Sequence, residues 1–268
     1  MTFIQNKTCG VSYMTASNIN TVHAFTTRSG GVSTGIFESL NLGENRGDET
    51  ENVIENYRRL KAALGITGGL VFTKQVHGTE VRRVTREDLR EPFEPLKYEA
   101  DGLMTDIPEL PLIIFTADCI PILFFDPVKR AVAASHAGWR GTVADIAGVT
   151  VRSMEREFGC IPENIRAAIG PGIGRCCFET GEDVPEAVFN LLGKDGENFI
   201  RPSKNSQKFM VDLKGVNRRL LIRAGVRAEN IAVSDECTMC LHDKYWSHRF
   251  TRGERGSQAS VIMLKGKS

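Results

Sequence analysis

His77, Cys119 and His136 each close a predicted strand, beside glycine or small residues that permit close approach. Two imidazoles and a thiolate suit Zn²⁺, and three protein ligands leave a fourth position for water, which is how catalytic zinc sites are built. The same atoms admit a second chemistry. Cys119 would be a nucleophile and His136 its base, the thiolate favoured by Arg140 and by a helix start beyond Gly141. His77 separates the two, because a dyad has no use for it and a zinc set loses a ligand without it. A plainer alternative makes His77 a loop residue and Cys119 a small buried one, since ligands on separate elements lack the close spacing of a zinc finger. Cys237-x-x-Cys240 is a further pair, and Cys176 with Cys177 would complete four sulfurs. Adjacent strand residues face opposite sides, however, which argues against all four meeting on one ion.

The elements that must position these groups are readable from the pattern. Ile122 to Phe125 and Ala131 to Ser135 are β-branched, aromatic or small apolar runs around Asp126-Pro-Val-Lys-Arg130, which is turn chemistry. A loop symmetric about Val128 sets Ile120 opposite His136 and Cys119 opposite Ala137. Leu112 to Phe115 is apolar on both faces, an interior strand leading into Asp118 and Cys119. Further strands are expected at His23–Thr27, Leu70–Val76, Glu80–Val84, Ile165–Ile169, Ile231–Ser234 and Ala259–Leu264. The spacing of Val53, Tyr57, Leu60 and Leu64 predicts a helix over 49–64, begun by a capping-box spacing at Asp48 and Glu51 and stopped by Gly65. A buried helical stripe runs from Val143 to Phe158, and Val184–Leu192 and Leu213–Ala224 are helices with Asp183 and Asp212 as N-caps. With no internal repeat or low-complexity linker, residues 1–268 read as one catalytic domain of the α+β class, mixed β-sheets flanked by helices.

Composition narrows the partner. A formal net charge of +1 with 25% charged residues points to neither nucleic acid nor a membrane surface, so a small molecule is the default. There is no basic, apolar leader and no window near the roughly 20 apolar residues of a membrane span, so a cytoplasmic location is expected. Seven cysteines, an odd number, suit reduced thiols better than a disulfide framework. Around the candidate centre the chain offers Arg28, Asn41, Arg46, Asp48, Gln75, Asp101, Asp118, Arg140, Glu179 and Arg249 for substrate or proton transfer. Arg28, Asn41, Gln75 and Asp118, at strand ends or in glycine loops, have the better claim.

Several motifs occur together in order: Arg28-Ser-Gly-Gly-Val-Ser, Asn41-Leu-Gly, Lys74-Gln-Val-His77-Gly, Ala100-Asp-Gly-Leu, Thr116-Ala-Asp-Cys119-x-Pro, Ser135-His136-Ala-Gly-Trp-Arg-Gly141, Cys176-Cys-Phe-Glu179 and Cys237-Thr-x-Cys240. With them, residues 21 to 264 resemble the YfiH/YlmD family, variously called polyphenol oxidoreductase (laccase), purine nucleoside phosphorylase or peptidoglycan-editing factor. The resemblance implies an αββα-like domain and one zinc per chain on His77, Cys119 and His136. It implies phosphorolysis of adenosine, inosine, guanosine and methylthioadenosine, together with deamination of adenosine. Some relatives instead hydrolyse a miscopied cell-wall precursor, a UDP-muramoyl-serine amide. Copper is a possible occupant, but a multicopper cluster needs a large histidine complement and the chain has five histidines. For proton transfer Asp118 is the first candidate and Glu179 the second, with Cys119 catalytic if the dyad operates. Arg28, Asn41, Arg46, Gln75 and Arg140 are the substrate-binding candidates, Arg28 or Arg46 for phosphate. Relatives often carry Thr-Gly-Arg before the last strand where this chain has Arg255-Gly256-Ser257, so Arg249 or Arg252 is the expected substitute there.

Overall fold

The computed structural model describes residues 1–205 and 207–266. Its strands are β1 (Phe3–Thr8), β2 (Val11–Ala16), β3 (Val22–Thr26), β4 (Val81–Arg83), β5 (Gly102–Thr105), β6 (Leu112–Thr116) and β7 (Ile120–Asp126), then β8 (Ala131–Ala137), β9 (Arg166–Ile169), β10 (Glu179–Thr180), β11 (Ile200–Pro202), β12 (Phe209–Val211), β13 (Ile231–Val233) and β14 (Gln258–Met263). Its helices are α1 (Thr50–Leu64), α2 (Trp139–Val143), α3 (Ile146–Phe158), α4 (Asp183–Leu192), α5 (Leu213–Arg223) and α6 (His248–Thr251).

A five-stranded sheet, β1-β2-β3-β14-β6, faces a six-stranded one, β13-β9-β7-β8-β5-β4, and β10-β12-β11 forms a small third sheet. The pleat decides the layering. Leu123, Phe125, Val132 and Ala134 of the six-stranded sheet meet Phe25, Leu112, Ile114 and Ile262 of the five-stranded one. Their alternates Ile122, Phe124, Ala131 and Ala133 turn the other way, onto Ile146, Val151 and Met154 of α3 and Leu220 and Leu221 of α5. On the far side Val53, Tyr57 and Leu60 of α1 pack on Val11, Ile113, Ala259 and Val261. The order is helix, sheet, sheet, helices, the α+β arrangement expected from the sequence. No described helix is long and apolar enough to cross a membrane.

Five expectations are corrected, two of them at helix starts: Glu49, the N-cap of α1, makes no side-chain cap bond and no capping box forms, and Glu182 stands at the N-cap of α4 with Asp183 already inside the helix. The β7–β8 hairpin pairs Ile120 with Ala137 and Pro121 with His136, one residue away from the symmetric register. Asp126 Oδ1 accepts the N–H groups of Val128 and Lys129 at 2.8 and 3.0 Å, and Arg130 takes a left-handed φ of 51°, so the turn closes off-centre. Residues 70–76 form isolated bridges rather than a strand. The 143–158 stripe splits into α2 and α3 because Asp145, at φ 63°, caps a new helix by accepting Gly148 N. The N-terminal hairpin β1–β2 was not expected, since β1 is almost entirely exposed and lacks a strand's apolar alternation.

His23, unassigned by sequence, is a structural residue. Its Nε2 accepts Ala16 N at 2.8 Å and its Nδ1 donates to Thr21 O at 2.9 Å, a pattern that only the neutral ring satisfies. Burial is the main cause that lowers it from its ordinary 6.5, against the opposing backbone bonds. The unfolded chain therefore takes up a proton that the folded chain refuses, and stability is full above 6.5 and falls as the pH drops toward the folded value. Urea unfolding between about pH 7.5 and 5.5 is expected to show a loss of stability that His23→Gln reduces; equal slopes in the two proteins would contradict this.

Candidate metal centre and its cavity

Three elements deliver the triad. Cys119 lies in the bend between β6 and β7, His136 in the buried middle layer on β8, and His77 in the loop before β4. Their nearest donor atoms lie within 4.8 Å of one another, with Cys119 Sγ 3.8 Å from His77 Nε2 and the two imidazoles edge to face at 4.8 Å between centroids. His77 and Asp118 adopt positive φ, 62° and 87°, which aims their side chains where ordinary extended backbone would not. Opposite Cys119 stands Gly138; a Cβ there would lie 2.6 Å from His77 Cδ2 and 3.3 Å from Cys119 Sγ, so only glycine leaves the donors room.

Behind the triad, Asp101 is fully buried. Its carboxylate accepts N–H bonds from Val76, His77 and Gly78 at 3.1, 3.0 and 2.7 Å and from His136 Nδ1 at 2.7 Å. One group therefore shapes the His77 loop and fixes the His136 ring with Nε2 toward Cys119, the carboxylate–histidine–metal arrangement. Burial opposes ionisation, but the bonds from His136 and the loop amides hold Asp101 below its ordinary value. Burial likewise raises Cys119, yet His136 and then His77 draw it down to about 6, and His136 is lifted against its own burial by Cys119 and Asp101 to about 9. The thiolate and the His136 imidazolium form an ion pair, and a divalent metal ion would displace the imidazolium proton and take a preassembled His-Cys-His donor set.

Two clefts meet at this point, of about 350 and 420 Å³. Both are bordered by Arg46, His77, Ala117, Cys119 and Arg255. The first has an apolar wall of Phe72, Leu96 and Phe115; the second is walled by Trp139, Phe178, Leu213 and Arg249. The family model described as multi-copper polyphenol oxidoreductase laccase matches residues 22–265, nearly the whole chain. The chain belongs to this family. A relative from Deinococcus radiodurans named purine nucleoside phosphorylase is 40% identical over 256 residues, covering 95% of this chain and 94% of that one. Purine nucleoside phosphorylase YlmD of Geobacillus stearothermophilus is 37% identical over 245 residues, with 90% and 89% covered. The crystal structure of YlmD from Geobacillus stearothermophilus superposes with a TM-score of 0.92 over 98% of this chain and 99% of that one, at 34% identity.

For a laccase-family member, the polar residues sort cleanly. Arg46 and Gln75 border the first cleft, Gln75 holding Phe115 by both amide atoms at 2.8 Å. Asp118 borders the second; Thr238 Oγ1 and Arg249 N donate to its carboxylate at 2.6 and 2.7 Å. Arg28, Asn41, Arg140 and Glu179 line neither cleft. Arg28 stacks on Trp246 and donates to Glu38 O and His242 O. Asn41 is buried, its side-chain oxygen accepting Gly43 N and Ser257 N. Arg140 is exposed over Trp139, and the Glu179 carboxylate takes Ser203 and Lys208. Two residues were undervalued by sequence reasoning. Asp101 gave one signal, the Ala-Asp-Gly turn at a strand start. Arg255 gave a misleading one, because its motif departs from that of the relatives while its guanidinium still reaches the centre.

Proposed function

We propose that the chain is a zinc-dependent purine nucleoside phosphorylase that accepts adenosine, inosine, guanosine and methylthioadenosine, and that the same centre deaminates adenosine. The observation that carries the reading is the pair of guanidiniums, Arg46 and Arg255, at the mouth of an open His-Cys-His donor set. Arg255 donates Nη1 to Gly256 O and Ser257 Oγ, while its buried Nε has no partner among the described residues. Burial, and then the charge of Arg46, lower it to about 10. Two crowded cations are relieved by an anion between them, which is what phosphate supplies.

Zinc on His77, Cys119 and His136 would supply a Lewis acid with an open position. The rest falls to the chain's own groups. Arg46 and Arg255 hold phosphate with an oxygen toward the ribose C1′, and the C1′–O bond forms as the bond from C1′ to the purine nitrogen breaks. Phe72, Leu96 and Phe115 exclude water from the sugar and base, which favours phosphate over water as the attacking group. Asp118 is the carboxylate proposed to move a proton in deamination, where water enters at C6 and ammonia leaves. The seven cysteines, all free, suit the reducing cytoplasm as the place of action.

Purine release from inosine should require phosphate and yield ribose 1-phosphate; equal release in phosphate-free buffer would sink phosphorolysis. Arg255→Ala and Arg46→Ala are each expected to raise the KM for phosphate by about 10- to 100-fold, the loss of one charge-assisted contact, with a smaller change in the KM for nucleoside. Initial-rate measurements at varied phosphate check this, and a purely nucleoside-side effect would contradict it.

A further inference from the structure

We propose that Cys176, Cys177, Cys237 and Cys240 form a second metal site, which takes a single zinc ion as a tetrathiolate and braces the floor of the cavity. The four sulfurs lie within 4.8 Å of one another, Cys176 and Cys177 at 3.5 and 3.3 Å from Cys240. A tetrahedral zinc with Zn–S near 2.3 Å needs sulfur–sulfur edges of about 3.8 Å, inside this range. All four cysteines are free, and these separations far exceed an S–S bond. The cluster is also too tight for a polynuclear iron–sulfur cluster, whose four thiolates are spread over two or more irons.

The objection from strand alternation fails because Cys176 and Cys177 are not on a strand. Residues 175–177 form a turn, closed by Cys177 N and Phe178 N donating to Gly174 O at 3.0 Å each, and both sulfurs reach the same point. Gly174 makes the room: a Cβ there would lie 3.1 Å from Cys237 Cβ and 3.2 Å from Cys176 Sγ. Its N–H donates to Cys237 Sγ at 3.2 Å, as backbone amides do around metal-bound thiolates. A tetrathiolate zinc is a dianion, and a cation stands beside it. Lys214 is buried and donates to Ser234 O and Glu236 O, the latter on the residue just before Cys237.

The site ties two loops to the centre. Gly172 bridges Cys237, Thr238 N donates to Gly172 O at 3.2 Å, and the hydroxyl of the same Thr238 donates to Asp118, the neighbour of Cys119. An ion on the four sulfurs would lock this floor, since metal binding energy becomes folding energy.

The test is zinc content of the full chain by elemental analysis and native mass spectrometry, with the triad removed by His77→Ala, Cys119→Ala and His136→Ala together. About one zinc per chain should remain, and the four thiols should resist Ellman's reagent until a chelator is added. In the otherwise wild-type chain, Cys176→Ser and Cys240→Ser should each lower zinc content by one equivalent, a comparison that holds whether or not the triple variant folds. Unchanged zinc in these single variants, iron in place of zinc, or an intact mass two hydrogens short from a disulfide would each overturn the proposal.

Discussion

Replacing His77 by alanine is expected to lower purine release from inosine by at least about 1000-fold, roughly 4 kcal/mol of lost transition-state stabilisation, and to remove one metal equivalent from the chain. The fold should survive. The His77 imidazole is exposed, and its neighbours are the other donors rather than the core. Its backbone amide, which donates to Asp101 at 3.0 Å, is kept by alanine, although a left-handed φ of 62° costs alanine on the order of 1 kcal/mol. The measurements are kcat/KM with inosine and adenosine, elemental analysis and near-ultraviolet circular dichroism. A fully active variant that has lost that one metal equivalent would sink the metal reading and return Cys119 and His136 to the role of a nucleophile and its base, a pair whose raised imidazole and lowered thiol already suit it.

Asp101→Asn should weaken metal binding by about 10- to 100-fold, with activity recovered in excess zinc, because every ligand atom stays and only the group that orients them changes. The carboxylate accepts four N–H bonds, three from the Val76–Gly78 amides and one from His136. An asparagine amide turns a donor toward at least one of those donors, leaving a buried N–H unpaired at a cost of about 1–3 kcal/mol. Competition titration against a chelator reads the affinity, and thermal unfolding reads the stability. Unchanged affinity with lower stability would make Asp101 a mere fold residue.

The reach of sequence reasoning depended on the range of the interaction. The helix over 49–64 was legible because its cues are local: an apolar face at helical spacing and a stop at Gly65, whose φ of 68° only glycine adopts at little cost. The β7–β8 hairpin was legible too, but its register was not. That single step depended on whether the Asp126 side chain would take two turn amides and Arg130 would adopt a left-handed backbone, neither of which the apolar pattern encodes. Similarly, Cys176 and Cys177 were judged on strand geometry when a turn at Gly174 governs them.

By itself the sequence determined the chemistry on offer: two imidazoles and a thiol beside glycines, ordered motifs matching one family, and enough elements for two sheets and their helices. Tertiary structure decided which groups would use it. Asp101 meets His136 only because β5 pairs antiparallel with β8, setting Gly102 against Ser135. Arg255 enters the cavity through the segment before β14, whereas Arg28 and Asn41, equally promising in type, are spent on hydrogen bonds that tie their loop to itself and to distant segments at His242 and Ser257. Residue type and spacing act over a few positions along the chain. The direction of a polar side chain is set by strand pairing and by competition for hydrogen-bond partners across scores of residues, and only the fold resolves that competition.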